Sequence, residues 1–233
     1  MINEITIATV NFNTPEYIFA LARSIAKYNP NYTNPLLVID NGNINRLPPV
    51  TCKVDNVCGL SIHHVDNTIY NELNEMPISK YPAAGQYNSA RHAKTIEYLL
   101  DKITTRYVLL VDSDVVIIQD IEPIVANFIK RGAALMGYKR TTYTHPCIAP
   151  WACLIDLQQI KNNNIHFYDA NRMLYVNDLV DYDTGASFYE DIVNAGLKIV
   201  ETPDNTYYRH FKGGSVFKEN GLNWLLSNAR VWF

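Results

Sequence analysis

The sequence predicts an α/β sandwich built on a mixed, mostly parallel central sheet, and three observations carry that prediction. Apolar runs at 36–39 and 107–111 are continuous rather than alternating, as in strands buried on both faces. Segments with apolar residues at helical spacing separate these runs. Each run stops at an acid, Asp40 or Asp112, which puts polar groups at the carboxyl edge of the sheet, where open α/β sheets bind ligands. With 233 residues, 48% of them apolar and 18% charged, the chain can bury a sizeable core and is expected to form a single domain over 1–233.

Taken in order, residues 4–10 read as a strand rich in β-branched side chains. Thr14, Pro15 and Glu16 then supply an N-cap, a first-turn proline and an early acid for a helix. The strand at 36–39 ends in Asp40-Asn41-Gly42, a turn signal that predicts a ligand-facing loop. Across 43–87 the apolar segments at Val57 and 61–65 are broken by Pro, Asn and Gly, giving one or two short strands and a long loop. Ala93, Ile96, Leu99, Leu100 and Ile103 predict a helix over 89–102 that feeds the strand 107–111. A helix over 122–130, a strand over 133–138, a loop to Pro150 and a strand over 151–155 follow. A late helix over 184–195 ends at Gly196, with a strand over 197–200 after it and a closing helix or coil over 221–233.

Composition removes several classes of function. Twenty Lys plus Arg against 23 Asp plus Glu leave a net charge of −3, so the chain is not expected to bind nucleic acid. No window approaches the apolar length of a membrane-spanning helix, and Met1-Ile2-Asn3-Glu4 has no basic leader character, so the prediction is a cytoplasmic protein. Cys52 with Cys58 and Cys147 with Cys153 lack the spacing of zinc hooks or redox motifs and are expected to be reduced thiols without catalytic duty. The segment 222–226 with 231–233 leaves peripheral contact with a membrane open. Its lack of Lys and Arg favours internal packing or an oligomer contact.

The chemistry concentrates at strand ends. In Asp112-Ser113-Asp114, a spacing of two in extended chain puts both carboxylates on one side, where two hard oxygen ligands suit Mg²⁺ or Mn²⁺ on a diphosphate. A capped turn with solvated acids is the plainer alternative. Thr9, Asn11 and Asn13 after the first strand and Asp40 after the second suit a nucleoside, since a carboxylate accepts from base N–H or ribose hydroxyls and an amide reads a base edge. Asn13 and Asp40 also suit mere turn formation.

The order Thr9-Val10-Asn11-Phe12-Asn13, Val38-Ile39-Asp40-Asn41-Gly42 and 107–111 followed by Asp112-Ser113-Asp114 resembles the GT-A-fold glycosyltransferases, most nearly those of the family 2 type. With Asp183, Gly196 and His210-Phe211-Lys212-Gly213-Gly214-Ser215, the likeness spans most of the chain. The resemblance implies a GT-A, Rossmann-like sandwich, with 1–115 as the nucleotide-donor half and 116–233 as the acceptor half. It implies a nucleotide-diphospho-sugar donor, a UDP-sugar first, and a carbohydrate or other hydroxyl acceptor, with Mn²⁺ or Mg²⁺ as cofactor. Asp112 and Asp114 would bind the metal with His210 as a further ligand, and Ser113 and Lys212 would lie near the diphosphate.

In an inverting transfer a carboxylate takes the acceptor hydroxyl's proton. The resemblance implies Asp183 for this role, with Asp181 as substitute, although Asp183 equally suits the N-cap of the following helix. The chain departs from the commoner pattern, in which a Glu-Asp pair opens this helix, since Glu190-Asp191 lies too far along. Where the family has an Asn before the metal strand, this chain has Arg91-His92, which suit contact with donor phosphate or sugar, or plain helix surface. The loop 139–151 holds Arg140, Tyr143, His145 and Trp151 on the acceptor side. Rival readings are a retaining GT-A enzyme and a catalytically degenerate module that binds sugar or nucleotide. A nucleotidyltransferase comes last, because no Gly-rich phosphate loop follows the first strand.

Overall fold

The computed structural model describes residues 2–42, 47, 51–52, 59–75, 84–141, 145–174 and 182–211. A 3₁₀ turn (Ile2–Glu4) leads into β1 (Ile5–Asn11), α1 (Pro15–Tyr28), β2 (Leu36–Asp40), β3 (Thr51–Cys52), β4 (Leu60–His64), a second 3₁₀ turn (Asn67–Tyr70) and α2 (Asn71–Asn74). Then come α3 (Ala84–Lys102), β5 (Tyr107–Asp112), β6 (Val115–Ile117), α4 (Glu122–Arg131), β7 (Leu135–Arg140), β8 (Cys147–Asp156), α5 (Leu157–Asn162), α6 (Ala170–Leu174), α7 (Ala186–Asn194), β9 (Ile199–Glu201) and β10 (Tyr208–His210). Eight strands form the main sheet in the order β3-β4-β2-β1-β5-β8-β7-β9, and β10 pairs with β6 in a separate ribbon. The β4, β2, β1 and β5 strands run parallel to one another, as do β7 and β9, whereas β8 is antiparallel to both its neighbours.

Period-two alternation along the strands divides the core in two. Ala8, Val10, Leu37, Ile39, Val108 and Leu110 pack on the α3 and α7 side, with Ile96, Leu99, Phe188 and Ile192. Ile5, Ile7, Leu36, Val38, Leu109 and Val111 pack on the α1 and α4 side, with Ile18, Leu21, Val125 and Phe128. Burial on both faces is why these strands read as unbroken apolar runs.

Two elements differ from expectation at places that matter for the site. β8 begins at Cys147 and runs through Pro150, rather than starting after it. The sheet accommodates the missing N–H by a register shift: Gly137 pairs with Cys153, while Lys139 pairs with Ile148, so β8 bulges around Pro150 and Trp151. α7 starts at Ala186 with Gly185 at φ 86° as its cap residue, two residues later than expected. Asp183 is therefore not the N-cap. The β6–β10 ribbon had no counterpart in the sequence reading, because three-residue strands carry too little periodicity to be seen. Cys147 and Cys153 are buried and free, whereas Cys58 and the segment 221–233 lie outside the described residues.

Candidate active site

A cavity of about 580 Å³ opens at the carboxyl edge of the sheet on its α3 side, within the size range of small-molecule sites. Alternation decides which residues reach it. Val108 and Leu110 face α3, so Asp112, two residues on, does too, and its register neighbour Val10 lines the same cavity. Asn11 and Asp40, paired across β1 and β2, face the other way and are completely buried.

Asp40 is spent on the protein itself: Asn11 Nδ2 donates to Oδ1 (3.0 Å), as does the Gly42 N–H (3.0 Å), while the Leu47 N–H donates to Oδ2 (2.7 Å). Asn11 Oδ1 accepts from the Thr14 N–H (3.2 Å) and hydroxyl (3.1 Å). Thr9 is equally buried. Asn11 and Asp40 brace the two strand ends from below, whereas the buried Thr9 hydroxyl makes no hydrogen bond, and the cavity wall above them is made by Phe12 and Asn41. Asn13 has φ 58°, and its Oδ1, like that of Asp40, stands 3.0 Å from where a Cβ on Gly42 would lie, so any larger residue there would have to push these side chains aside. Phe12 and Asn41 are not among the expected site residues, and the signal that points to them is the pleat, which turns alternate residues toward the cavity.

Asp112 ends β5, Asp114 precedes β6, and the antiparallel pairing of β10 sets His210 opposite Val115. A hydrogen bond from the Phe211 N–H to the Asp114 carbonyl (3.0 Å) fixes the end of the ribbon. Asp112, Asp114 and His210 consequently offer one ligand atom each within 4.8 Å of one another, with His210 Nε2 3.2 Å from Asp114 Oδ1. Burial pushes the Asp112 carboxyl up, His92 opposes the shift, and Asp114 adds to it. Burial alone would depress the His210 imidazole, but the hydrogen bond and charge of Asp114, with Asp112 and Asp204 behind it, raise it above its ordinary value. Two crowded carboxylates and an imidazole fit a small divalent cation such as Mn²⁺ or Mg²⁺, which would relieve their repulsion. Ser113 is buried with its hydroxyl 3.3 Å from that of Thr14, and it also lines the cavity.

The opposite wall comes from α3 and the second half of the chain. His92 Nε2 lies 3.7 Å from Asp112 Oδ1, and the Arg91 guanidinium sits 4.4 Å from the Tyr70 ring centre, both facing the cavity. Asn88 and Ser89 join them one turn earlier. Asp183 also lines the cavity: its Oδ1 accepts from the Ser89 hydroxyl (2.9 Å) and the Thr184 N–H (2.8 Å), and Oδ2 from Arg140 Nη1 (2.7 Å). Arg140 lies 4.9 Å over the Trp151 ring, which stacks on His210 with centroids 4.8 Å apart. Residues as distant in the chain as Val10 and Thr184 thus meet in one cleft through the sheet. Asp181 and Lys212 lie outside the described residues, as does Tyr143.

No protein-family profile matches the chain, and no curated protein is similar to it in sequence. Solved structures are similar. The galactosyltransferase LgtC, in complex with donor and acceptor sugar analogues, superposes with a TM-score of 0.54 at 16% identity, covering 84% of this chain and 73% of its own. Mouse xyloside xylosyltransferase 1 gives 0.54 at 11% identity, covering 85% and 84%. TarS 1–349 of S. aureus gives 0.50 at 16%, covering 93% of this chain, which spans only 62% of that one. The chain has the GT-A fold. A fold hosts many functions, so the activity has to be argued from the cleft.

Proposed function

We propose that the protein is a metal-dependent glycosyltransferase that moves a sugar from a nucleotide-diphospho-sugar, a UDP-sugar foremost, to an acceptor hydroxyl. The observation that carries this reading is the Asp112, Asp114 and His210 cluster at the sheet edge of a GT-A fold, whose two carboxylate residues line a cavity of about 580 Å³. Support comes from the neighbours: LgtC was crystallised with donor and acceptor sugar analogues and TarS 1–349 with UDP-GlcNAc.

Asp112, Asp114 and His210 would hold Mn²⁺ or Mg²⁺, which when bound stabilises the negative charge that develops on a departing diphosphate. Phe12, about half exposed, offers an aromatic face to the base, and Asn41 a paired donor and acceptor. Asp40 and Asn11 then act from beneath, by fixing the turn that presents those two residues, with Thr9 buried behind them. Asn13 shapes that turn. Arg91 and His92 face the donor phosphates or sugar, and Lys212 adds a cation for the diphosphate.

For inverting transfer, Asp183 accepts the proton of the acceptor hydroxyl, which must take the place now held by Ser89 or Arg140. Asp181 is the substitute. A second reading rests on the same observation: with three donors already on its carboxylate, Asp183 serves to position Arg140 and Ser89, and transfer then proceeds with retention. The anomer of the product decides between them.

The test is a thermal-shift panel of UDP, GDP, CDP and dTDP sugars with and without Mn²⁺, on the parent and on Asp114→Ala. Metal-dependent stabilisation by one nucleotide class, lost in the variant, is the expected result. Stabilisation by none of them under any metal condition refutes the donor site. Binding without transfer to any acceptor in a broad panel would point to a recognition module.

A further inference from the structure

Two of the three metal-ligand candidates belong to a small substructure that the main sheet does not hold by strand pairing. Asp112 ends a central strand of the eight-stranded sheet, whereas Asp114 immediately precedes β6 and His210 is the last residue of β10, in a ribbon whose ladder is three residues long. A two-stranded ribbon of that length is marginal by itself. The position of His210 relative to Asp112 therefore depends on how the ribbon docks against the sheet.

The ribbon is anchored on α1, where the Ile117 N–H donates to Ser24 Oγ (2.9 Å), and on β8, where Tyr207 Oη donates to the Ala152 carbonyl (3.3 Å), but on the face that carries His210 its contact with the sheet is Trp151. Tyr208 and His210 are two residues apart on β10, so their side chains leave the same face. Trp151 meets both: its indole Nε1 donates to Tyr208 Oη (3.2 Å), and its ring stacks on the His210 imidazole at 4.8 Å between centroids and 20° between planes. Tyr208 Oη in turn donates to Asp204 Oδ1 (2.8 Å), which fixes the direction of its acceptor lone pairs toward the indole. Trp151 is presented by the β8 bulge at Pro150, and the Arg140 guanidinium lies 4.9 Å from its ring centre. An aromatic ring engaged in this way is a brace.

We infer that Trp151 is a positioning residue that holds the His210 imidazole in register with Asp112 and Asp114, so that the metal site is preassembled. The inference deepens the metal-dependent reading of the same site and rests on it. Packing alone would make Trp151 matter for stability and leave the affinity of the folded protein for a cation unchanged. A brace makes the affinity itself depend on the ring, as it does for outer partners of metal ligands.

The experiment is a Mn²⁺ titration of the full chain followed by electron paramagnetic resonance, well below the unfolding temperature of each protein, on the parent, His210→Ala, Trp151→Leu, Trp151→Phe and Tyr208→Phe. Circular dichroism verifies that each variant is folded. Trp151→Leu is expected to weaken Mn²⁺ binding about tenfold. Trp151→Phe, which keeps a ring against His210, should recover most of that loss, and Tyr208→Phe, which keeps the stack but removes the indole's acceptor, should lose less than Trp151→Leu. A folded Trp151→Leu that binds Mn²⁺ as tightly as the parent overturns the inference. If Trp151→Leu does not fold, Trp151→Met takes its place as the variant without a ring, and a folded Trp151→Met that binds Mn²⁺ as tightly as the parent overturns the inference equally. A parent that binds no Mn²⁺, or a His210→Ala variant that binds it as the parent does, overturns the metal site itself and this inference with it.

Discussion

Asp112 and Asp114 are separated by a single residue, yet their isosteric replacement is expected to move stability in opposite directions. Asp114 is almost completely buried and accepts from His210, a hydrogen bond between charged groups worth about 2 kcal/mol. Asp114→Asn should therefore lower the melting temperature of the metal-free protein by about 4–8 °C for a chain of this size. Asp112 stands differently. Its pKa is raised in the folded state, chiefly by burial and further by Asp114, so at neutral pH its ionised form costs stability rather than contributing it. His92, at 3.7 Å, returns part of that cost. Asp112→Asn is expected to leave the metal-free protein unchanged or to stabilise it by up to about 1 kcal/mol, a rise of about 2–4 °C. Mn²⁺ at a hundredfold excess over its dissociation constant should add about 2.7 kcal/mol to the parent and nothing comparable to either variant. Scanning calorimetry with and without Mn²⁺ reads all of these values. Equal destabilisation by the two substitutions, or undiminished stabilisation of both by Mn²⁺, refutes the reasoning.

Asp40→Ala deletes the acceptor of three buried hydrogen bonds and should cost about 3 kcal/mol by urea denaturation, while the nucleotide preference of the folded variant stays that of the parent. Gly137→Ala would bring a Cβ to 2.6 Å from Ile148 Cγ2 and 3.1 Å from the Ala152 carbonyl, inside the β8 bulge. Overpacking of about 1–3 kcal/mol is expected, measurable by the same denaturation, together with weaker Mn²⁺ binding because Trp151 shifts. In the Asp156 and Arg106 pair, burial pushes the carboxyl up, but hydrogen bonds from Arg106 and Gln159 outweigh it and hold the pKa below 3.8. A depressed carboxyl contributes stability above its unfolded pKa and loses it as pH falls through the folded value, so Asp156→Asn should flatten the decline of stability below about pH 4. Urea midpoints at a series of acid pH values check this.

The sheet was legible because its strands are buried on both faces and so display themselves as uninterrupted apolar runs, and the Asp112-Ser113-Asp114 turn was legible because it ends the most apolar of them. At the ends of β1 and β2 the polar residues and the cavity-lining residues are one position out of phase: a pleated strand presents alternate residues, so Thr9, Asn11 and Asp40 are buried beneath and the cavity receives Val10, Phe12, Asn41 and Asp112. Asp183 was separated from its rival role as an N-cap only by the position of Gly185, whose left-handed backbone starts α7 two residues later than the pattern suggested. Pro150 ended the expected loop because proline interrupts a ladder, and the bulge that tolerates it is a property of two strands together that no local pattern contains.

The same bulge explains why the two chemically distinct ends of the cleft are mechanically one object. At one end Asp112 and Asp114 hold crowded negative charge that a cation and a diphosphate would share. At the other Asp183 is held by Arg140, whose guanidinium rests on Trp151, and Trp151 rests on His210. On the proposed function, a metal that displaced His210 would act on Arg140 through this stack, and an acceptor that released Arg140 from Asp183 would act on His210. Coupling between two sites is reciprocal in free energy. If Trp151 carries it, Mn²⁺ should tighten acceptor binding by the same factor that the acceptor tightens Mn²⁺ binding, and Trp151→Leu should bring both factors to one while each ligand still binds. Mutual tightening of the two ligands, without a fixed order of binding, would then follow from the packing of one indole ring.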